Sequence, residues 1–174
     1  MTNPDKQIAI IGGGPAGLMA AYQLCQQDGM QVHVFDQKPS VGRKFLIAGR
    51  GGLNLTNAED LSRFMERYEE GAAFLSPHIK AFTPDQLREW ATSLGIETFV
   101  GSSGRVFPKE MKATGLMRAW TKYLTAAGVQ FHLSHKWQGL EADGSLKFTN
   151  KTGDAITFAA DATLLSMGGA SYAH

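Results

Sequence analysis

A chain of 174 residues, 43% hydrophobic and 19% charged, has an ordinary globular composition and enough apolar material for one full core or most of two smaller ones. A net charge of +1 excludes a whole-domain electrostatic footprint for nucleic acid or an anionic membrane, so any anion site must be local. The single cysteine, Cys25, excludes an intramolecular disulfide, CxxC chemistry and a multi-cysteine zinc site, so redox function would need a bound cofactor.

No apolar run approaches the roughly 18 residues that span a bilayer, and the N-terminus MTNPDKQ has no signal-peptide apolar region. The reading is a cytoplasmic protein without a membrane partner.

In chain order, KQIAII (6–11) is a short apolar run ending in glycines, the pattern of a buried parallel strand. From Pro15 to Gln27, Ala16, Leu18, Ala21 and Leu24 predict a helix that shows Gln23, Gln26 and Gln27 to solvent and closes at Asp28-Gly29. QVHVFD (31–36) is a second strand. GRKFLIAGRGGLNLTN (42–57) follows, with four glycines, three cations and no acid, and fits neither helical nor strand alternation.

Next, Leu61, Phe64, Met65 and Tyr68 fall on one helical face. Thr83-Pro84-Asp85-Gln86 is a capping box with proline at the first helical position, opening a helix to Leu94 that stops at Gly95. A third helix is expected over about Lys112 to Ala127, ending at Gly128. VQFHL (129–133) is the next strand; WQGLEA, SLKFTN and AITF, separated by turns at Asp143-Gly144 and Lys151-Thr152-Gly153, predict a three-stranded antiparallel meander. ATLLS is again a buried-strand pattern, ending at Gly168 and Gly169.

Gly12, Gly14 and Gly17 form GxGxxG between the first strand and its helix. The first glycine permits the tight turn, the second lets the backbone approach a pyrophosphate, and the third lets helix and strand pack closely. Asp36 closes the second strand about 20 residues on, where a carboxylate can accept ribose hydroxyls. Against a glycine turn that binds nothing, the register of strand, loop, helix, strand and acid favours a bound adenine dinucleotide, NAD or FAD.

No third parallel strand appears until Val129, and the fourth follows a meander. That order resembles the FAD-binding domain of glutathione-reductase-like flavoproteins. More narrowly, IAIIGGGPAGLMAA, GRKFLIAGRGGLNLTN, GRVFP (104–108) and LLSMGGASY together resemble the BaiN-like bacterial flavoprotein family, which includes aminoacetone oxidases.

The resemblance covers essentially the whole chain. It implies a Rossmann-like doubly wound parallel sheet with the meander, and FAD as cofactor. Gly12, Gly13, Gly14, Pro15, Ala16 and Gly17 would hold the pyrophosphate, and Asp36 and Gln37 the adenosine ribose. Lys38, Arg43 and Lys44 would lie near the phosphates or ribose, Asn54, Leu55 and Thr56 near the flavin, Trp137 at the adenine, and Gly168 and Gly169 close to the cofactor. Many members read serine-glycine-x-glycine-arginine-cysteine-asparagine where this chain has Ala48 to Asn54, so Leu53 and Gly52 replace a thiol and a cation.

These readings divide the chain into a dinucleotide unit (1–36), a basic cofactor loop (42–57), a mainly helical insertion (59–127) and a strand, meander and strand (129–169). The resemblance implies a longer protein with a further domain, and a doubly wound FAD domain needs a last strand that usually carries a glycine-aspartate pair. The expectation is therefore an N-terminal piece, incomplete at its C-terminus, inactive alone and prone to self-association through an apolar edge.

The histidines His33, His78, His132 and His135 lack metal-site spacing, and Ser102, Ser103 and Ser171 lack a nucleophile-base arrangement. Arg105 in GRVFP could touch cofactor or substrate, or serve its loop. The function expected is an FAD-dependent oxidoreductase acting on a small-molecule substrate, with NAD(P)H as donor or oxygen as acceptor. The alternatives are a flavin-binding tRNA-modifying protein and a non-catalytic nucleotide-binding protein; a bound diphosphate explains the local cations more economically than nucleic acid does.

Overall fold

The computed structural model describes residues 5–169; residues 1–4 and 170–174, with Ser171 and His174 among them, lie outside the described residues. The chain opens with β1 (Lys6–Ile11), α1 (Pro15–Leu24), β2 (Met30–Asp36), α2 (Arg43–Ala48) and β3 (Thr56–Asn57). Then come α3 (Leu61–Glu66), a 3-10 turn (Glu69–Gly71), α4 (Ala72–Ala81), α5 (Pro84–Ser93), β4 (Thr98–Val100), β5 (Arg105–Pro108) and α6 (Ala113–Ala126). It continues with β6 (Gln130–Leu133), β7 (Lys136–Leu140), β8 (Leu146–Thr149), β9 (Ala155–Phe158) and β10 (Ala162–Leu165). Two compact units result, residues 1–45 with 121–174, and residues 46–120.

The first unit is a Rossmann-type α/β domain. Its four-stranded sheet has the order β10-β1-β2-β6, and every neighbour pair is parallel. The central strands are apolar on both faces, as parallel sheets require, with Ala9, Ile10 and Val34 fully buried. The meander β7-β8-β9 is antiparallel as expected, with a bulge between Trp137 and Gly139. Leu146 and Phe148 of β8 pack with Ala9, Ile11 and Phe35 in one cluster.

β10 corrects an expectation. It pairs with β1 where the fourth parallel strand belongs, yet all four of its residues are exposed, because among the described residues its two faces are little covered, unlike those of β6 at the opposite edge.

The middle of the chain carries more regular structure than its sequence shows. GRKFLIAGRGGLNLTN is not free of helix: Arg43–Ala48 forms α2 and Thr56–Asn57 forms β3. The stretch Arg-Lys-Phe-Leu-Ile-Ala contains good helix formers, and glycines bound it on both sides. GRVFP supplies β5, which pairs antiparallel with β3 and β4, so a three-stranded sheet joins the end of the 42–57 stretch to two strands of the 59–127 segment. The helix at Leu61 is short, and α4 follows it with Pro77 inside.

α5 begins as its capping box requires. Thr83 N–H donates to Gln86 Oε1 at 2.8 Å, and Gln86 N–H donates to Thr83 Oγ1 at 3.2 Å. Its buried Trp90 meets Trp120 of α6 edge-on, with ring centroids 4.7 Å apart.

Candidate functional site

The glycine loop joins β1 to α1, and its three motif glycines meet three different surroundings. Gly12 takes φ +111°, and a Cβ there would strike the Ser166 backbone. A Cβ at Gly17 would overlap the Gly12 carbonyl oxygen and stand 2.6 Å from Ser166 Oγ. A Cβ at Gly14 would meet nothing within 4 Å. Two glycines are thus demanded by packing, while the middle one faces open space.

Bonds from neighbouring strands hold the loop in place. Gly12 N–H donates to Phe35 O and Gly42 N–H to Gly13 O, each at 2.8 Å. The Ser166 hydroxyl lies 3.1 Å from Ile11 O and 2.9 Å from Gly12 O. Asp36 accepts the Gly13 amide at 2.9 Å on one carboxylate oxygen and the Lys38 amide at 2.8 Å on the other. A carboxylate has further lone pairs, so Asp36 can fix the loop and still accept from a ligand.

Gly14 is the N-cap of α1, no side chain caps that terminus, and Pro15 opens the helix without an N–H. The first-turn amides of Ala16 and Gly17 have no intrahelical acceptor, and the helix dipole favours an anion there. Lys44 Nζ donates to Gly169 O at 2.9 Å, which holds an ammonium beside the loop after β10.

A cleft of about 160 Å³ opens next to Asp36, walled by Ile11, Phe35, Trp137, Met167, His135 and their neighbours. It is smaller than the roughly 300 Å³ minimum of ordinary ligand pockets, so it suits one moiety of a longer ligand. Apolar walls with Asp36 and Gln37 at the edge suit a base joined to a sugar. Trp137 is half-buried and packs against the Phe35–Phe148 cluster; its Nε1 is buried without a hydrogen-bond partner among the described residues.

A larger cavity, about 360 Å³, lies in the second unit, but Glu97 and Lys109 on its wall pair with each other and Glu110 covers Gly115. It lacks the anion-binding features of the glycine loop.

The first unit therefore brings together Gly12 to Gly17, Asp36, Gln37, Trp137, Lys44 and Gly169. Arg43 and Lys38 are exposed in the same unit. Asn54, Leu55 and Thr56 belong to the second unit, where Leu55 N–H donates to Val106 O at 2.8 Å, Thr56 is buried and Asn54 is exposed.

Sequence reasoning passed over Ser166, Met167 and His135 as parts of this site. Ser166 works through main-chain carbonyls and His135 through a turn, and neither has a spacing signature.

Histidines form a polar layer behind the cleft. His33 Nδ1 lies 3.0 Å from His132 Nε2, and His33 Nε2 lies 2.7 Å from Gln7 Oε1. Burial pushes both imidazoles below the ordinary histidine range, and His132 is lowered further by His33 and His135. Phe35 stacks between His132 and Phe148, with both centroid distances 4.3 Å. Among the described residues no group of three or more His, Cys, Asp or Glu side chains could hold a metal.

With this geometry in hand, residues 6–174 match the HI0933-like protein Rossmann domain. The chain belongs to that family. It is 31% identical over 166 residues to the 3-dehydro-bile acid delta(4,6)-reductase of Clostridium scindens, a match covering 94% of this chain and 39% of that protein. It is 28% identical to the thiamine thiazole synthase of Pyrococcus horikoshii, across 72% of this chain and 52% of the relative. A shorter match, 50% identical over 50 residues, joins it to the ribosomal RNA dihydrouridine synthase of Haemophilus influenzae, across 29% of this chain and 12% of that one.

This HI0933-like chain thus spans between about two fifths and half of the two longer-matching relatives. Among solved structures, THI4 of Thermovibrio ammonificans gives a TM-score of 0.60 at 18% identity, covering 94% of this chain and 57% of that one. The 3-ketosteroid-delta4-(5alpha)-dehydrogenase of Rhodococcus jostii, in complex with 4-androstene-3,17-dione, gives 0.59 at 14% identity, covering 95% and 46%. At these identities the likeness is one of fold.

Proposed function

We propose that this chain is the FAD-binding part of a flavoprotein oxidoreductase that acts on a small molecule. The observation that carries the reading is the open Gly14 at an uncapped helix start, in the same loop that Asp36 fastens beside its cleft. The pieces match the adenosine diphosphate half of FAD: a donor-rich, positive helix end for the diphosphate, a carboxylate for the ribose and an apolar slot for the base.

In this reading the loop from Gly12 to Gly17 binds the diphosphate through its amides, with Pro15 contributing shape only. Asp36 and Gln37 bind the ribose, Trp137 borders the adenine, and Lys38, Arg43 and Lys44 balance phosphate charge. Gly168 and Gly169 pass close to the cofactor, and Asn54, Leu55 and Thr56 serve its flavin end. FAD, when bound, supplies the hydride-accepting and hydride-donating chemistry. The residues of this chain orient it.

The donor would be NAD(P)H, or oxygen the acceptor, in the cytoplasm of a bacterium. A reductase among the relatives supports an oxidoreductase class. The four-part division into dinucleotide unit, cofactor loop, insertion and meander segment belongs to the same proposal, as does the narrower BaiN-like assignment.

The test is a visible spectrum of the full protein that contains this chain, before and after reconstitution with FAD. The expected result is a flavin band that falls about tenfold in occupancy in Asp36→Ala, which removes an acceptor from two amides as well as from the ribose. A colourless protein that takes up no FAD overturns the reading.

The Haemophilus influenzae relative keeps a second reading, a flavoprotein that modifies RNA. Salt-sensitive binding of ribosomal RNA by the same preparation would favour it, and no binding at low salt removes it.

A further inference from the structure

One side chain in the cleft beside Asp36 has its hydrogen-bonding character set by the backbone. β6 ends at Leu133, Ser134 takes a left-handed φ of 57°, and β7 begins at Lys136. Two main-chain bonds fasten this turn to the end of β2: Ser134 N–H to Lys38 O at 3.0 Å, and His135 N–H to Asp36 O at 2.9 Å. His135 is thereby anchored to the residue whose carboxylate holds the glycine loop.

The His135 ring is fixed as well. Its Nδ1 lies 2.8 Å from Leu133 O. A carbonyl oxygen only accepts, so Nδ1 carries the proton, and in the neutral imidazole Nε2 is left as an acceptor. Phe35 and Phe148 stand near-perpendicular to the ring, with centroids 6.2 and 6.3 Å away. Among the described residues Nε2 has no hydrogen-bond partner. The cleft therefore combines apolar walls from Ile11, Phe35 and Met167 with a histidine acceptor of fixed tautomer.

We infer that His135 selects the base: its Nε2 accepts from the exocyclic amino group of adenine, so the cleft takes a 6-aminopurine and rejects a 6-oxopurine. The inference rests on the proposed reading that this cleft holds the adenosine end of a dinucleotide. A 6-oxo group would set a carbonyl oxygen against the imidazole lone pair, two acceptors with no proton between them. With a 6-aminopurine the same contact pairs one amino N–H with that lone pair. The competing reader of the base is the main chain of β7, the outer strand of its sheet.

The experiment titrates the full-length apoprotein with FAD and with flavin hypoxanthine dinucleotide, following flavin fluorescence. Wild type is expected to bind FAD about tenfold more tightly than the hypoxanthine analogue. His135→Phe keeps a ring and loses the acceptor; it should bind FAD about tenfold more weakly and both ligands within about twofold of each other. His135→Ala, with circular dichroism as a check on folding, gives the same result without depending on how Phe packs.

If both variants keep the wild-type ratio, or wild type shows no preference, His135 does not read the base, while the FAD reading stands. If wild type binds neither dinucleotide, the FAD reading falls and this inference falls with it.

Discussion

Gly12, Gly14 and Gly17 carry the same letter for opposite reasons. Gly17 touches the Gly12 carbonyl so closely that a methyl group has nowhere to go, whereas Gly14 has open space where a side chain would stand. Gly17→Ala should therefore destabilise the fold by about 2 kcal/mol or more through overpacking, read as a lowered melting temperature without ligand. Serine is a favoured N-cap, so Gly14→Ser should leave stability within about 0.5 kcal/mol. On the proposed reading its side chain would stand over the diphosphate and its hydroxyl would take an amide that the ligand needs, so FAD retention should fall. Equal losses of stability in both variants would contradict this division. The spacing of these glycines and the position of Asp36 were legible in the sequence because they follow a local geometric rule. His135 was not, because its position comes from a turn tied to β2 across about 100 residues of chain.

Among the elements, α5 shows local chemistry at its most legible. Its cap, its proline start and its stop at Gly95, which takes φ +79°, all follow from residues adjacent in sequence. Thr83→Ala removes the acceptor for Gln86 N–H and should cost about 1 kcal/mol, measured by chemical denaturation; Thr83→Ser should restore most of it. No loss in the alanine variant would mean that the packing of Trp90 alone sets the helix start.

Elements that sequence reasoning missed are those whose signals compete. Pro77 reads as a helix breaker yet lies inside α4, a helix without a buried residue. In α2 the flanking glycines hide a six-residue helical run. β4 and β5 are too short to show alternation, and pairing with each other and with β3 establishes them. β10 has the letters of a buried strand, but exposure is decided by what packs over the strand's faces, which its own residues do not encode.

Across the molecule, the succession of the parallel strands and the meander was legible because each of their apolar runs ends in glycines or a turn, and the long gap before β6 sets the intervening residues apart. The polar contents of the core were not. His33 is 95% buried on the central strand β2, within a chain of hydrogen bonds that runs from His132 through His33, Gln7 and Gln31 to Asp5. Since Gln7 Oε1 accepts from His33 Nε2–H, the neutral His33 presents Nδ1 as an acceptor to His132 Nε2–H. Protonating both rings would put two N–H groups face to face, with His135 nearby and Phe35 and Phe158 supplying no compensating charge.

Burial lowers both folded-state values below the ordinary 6.5. The folded protein therefore resists protons that the unfolded chain accepts, and stability present above about pH 6.5 is lost as pH falls through that value and the lowered ones. The carboxylates of Asp143 and Asp154 are held below their ordinary 3.8 by neighbouring hydroxyl and amide donors, so their loss comes in a separate, more acidic window. Urea unfolding from about pH 8 to about pH 5 should show a decline beginning near neutrality. The double substitution of His33 and His132 by glutamine should flatten that decline over the same range. A wild-type profile flat down to about pH 5 would mean that the two rings accept protons as readily folded as unfolded.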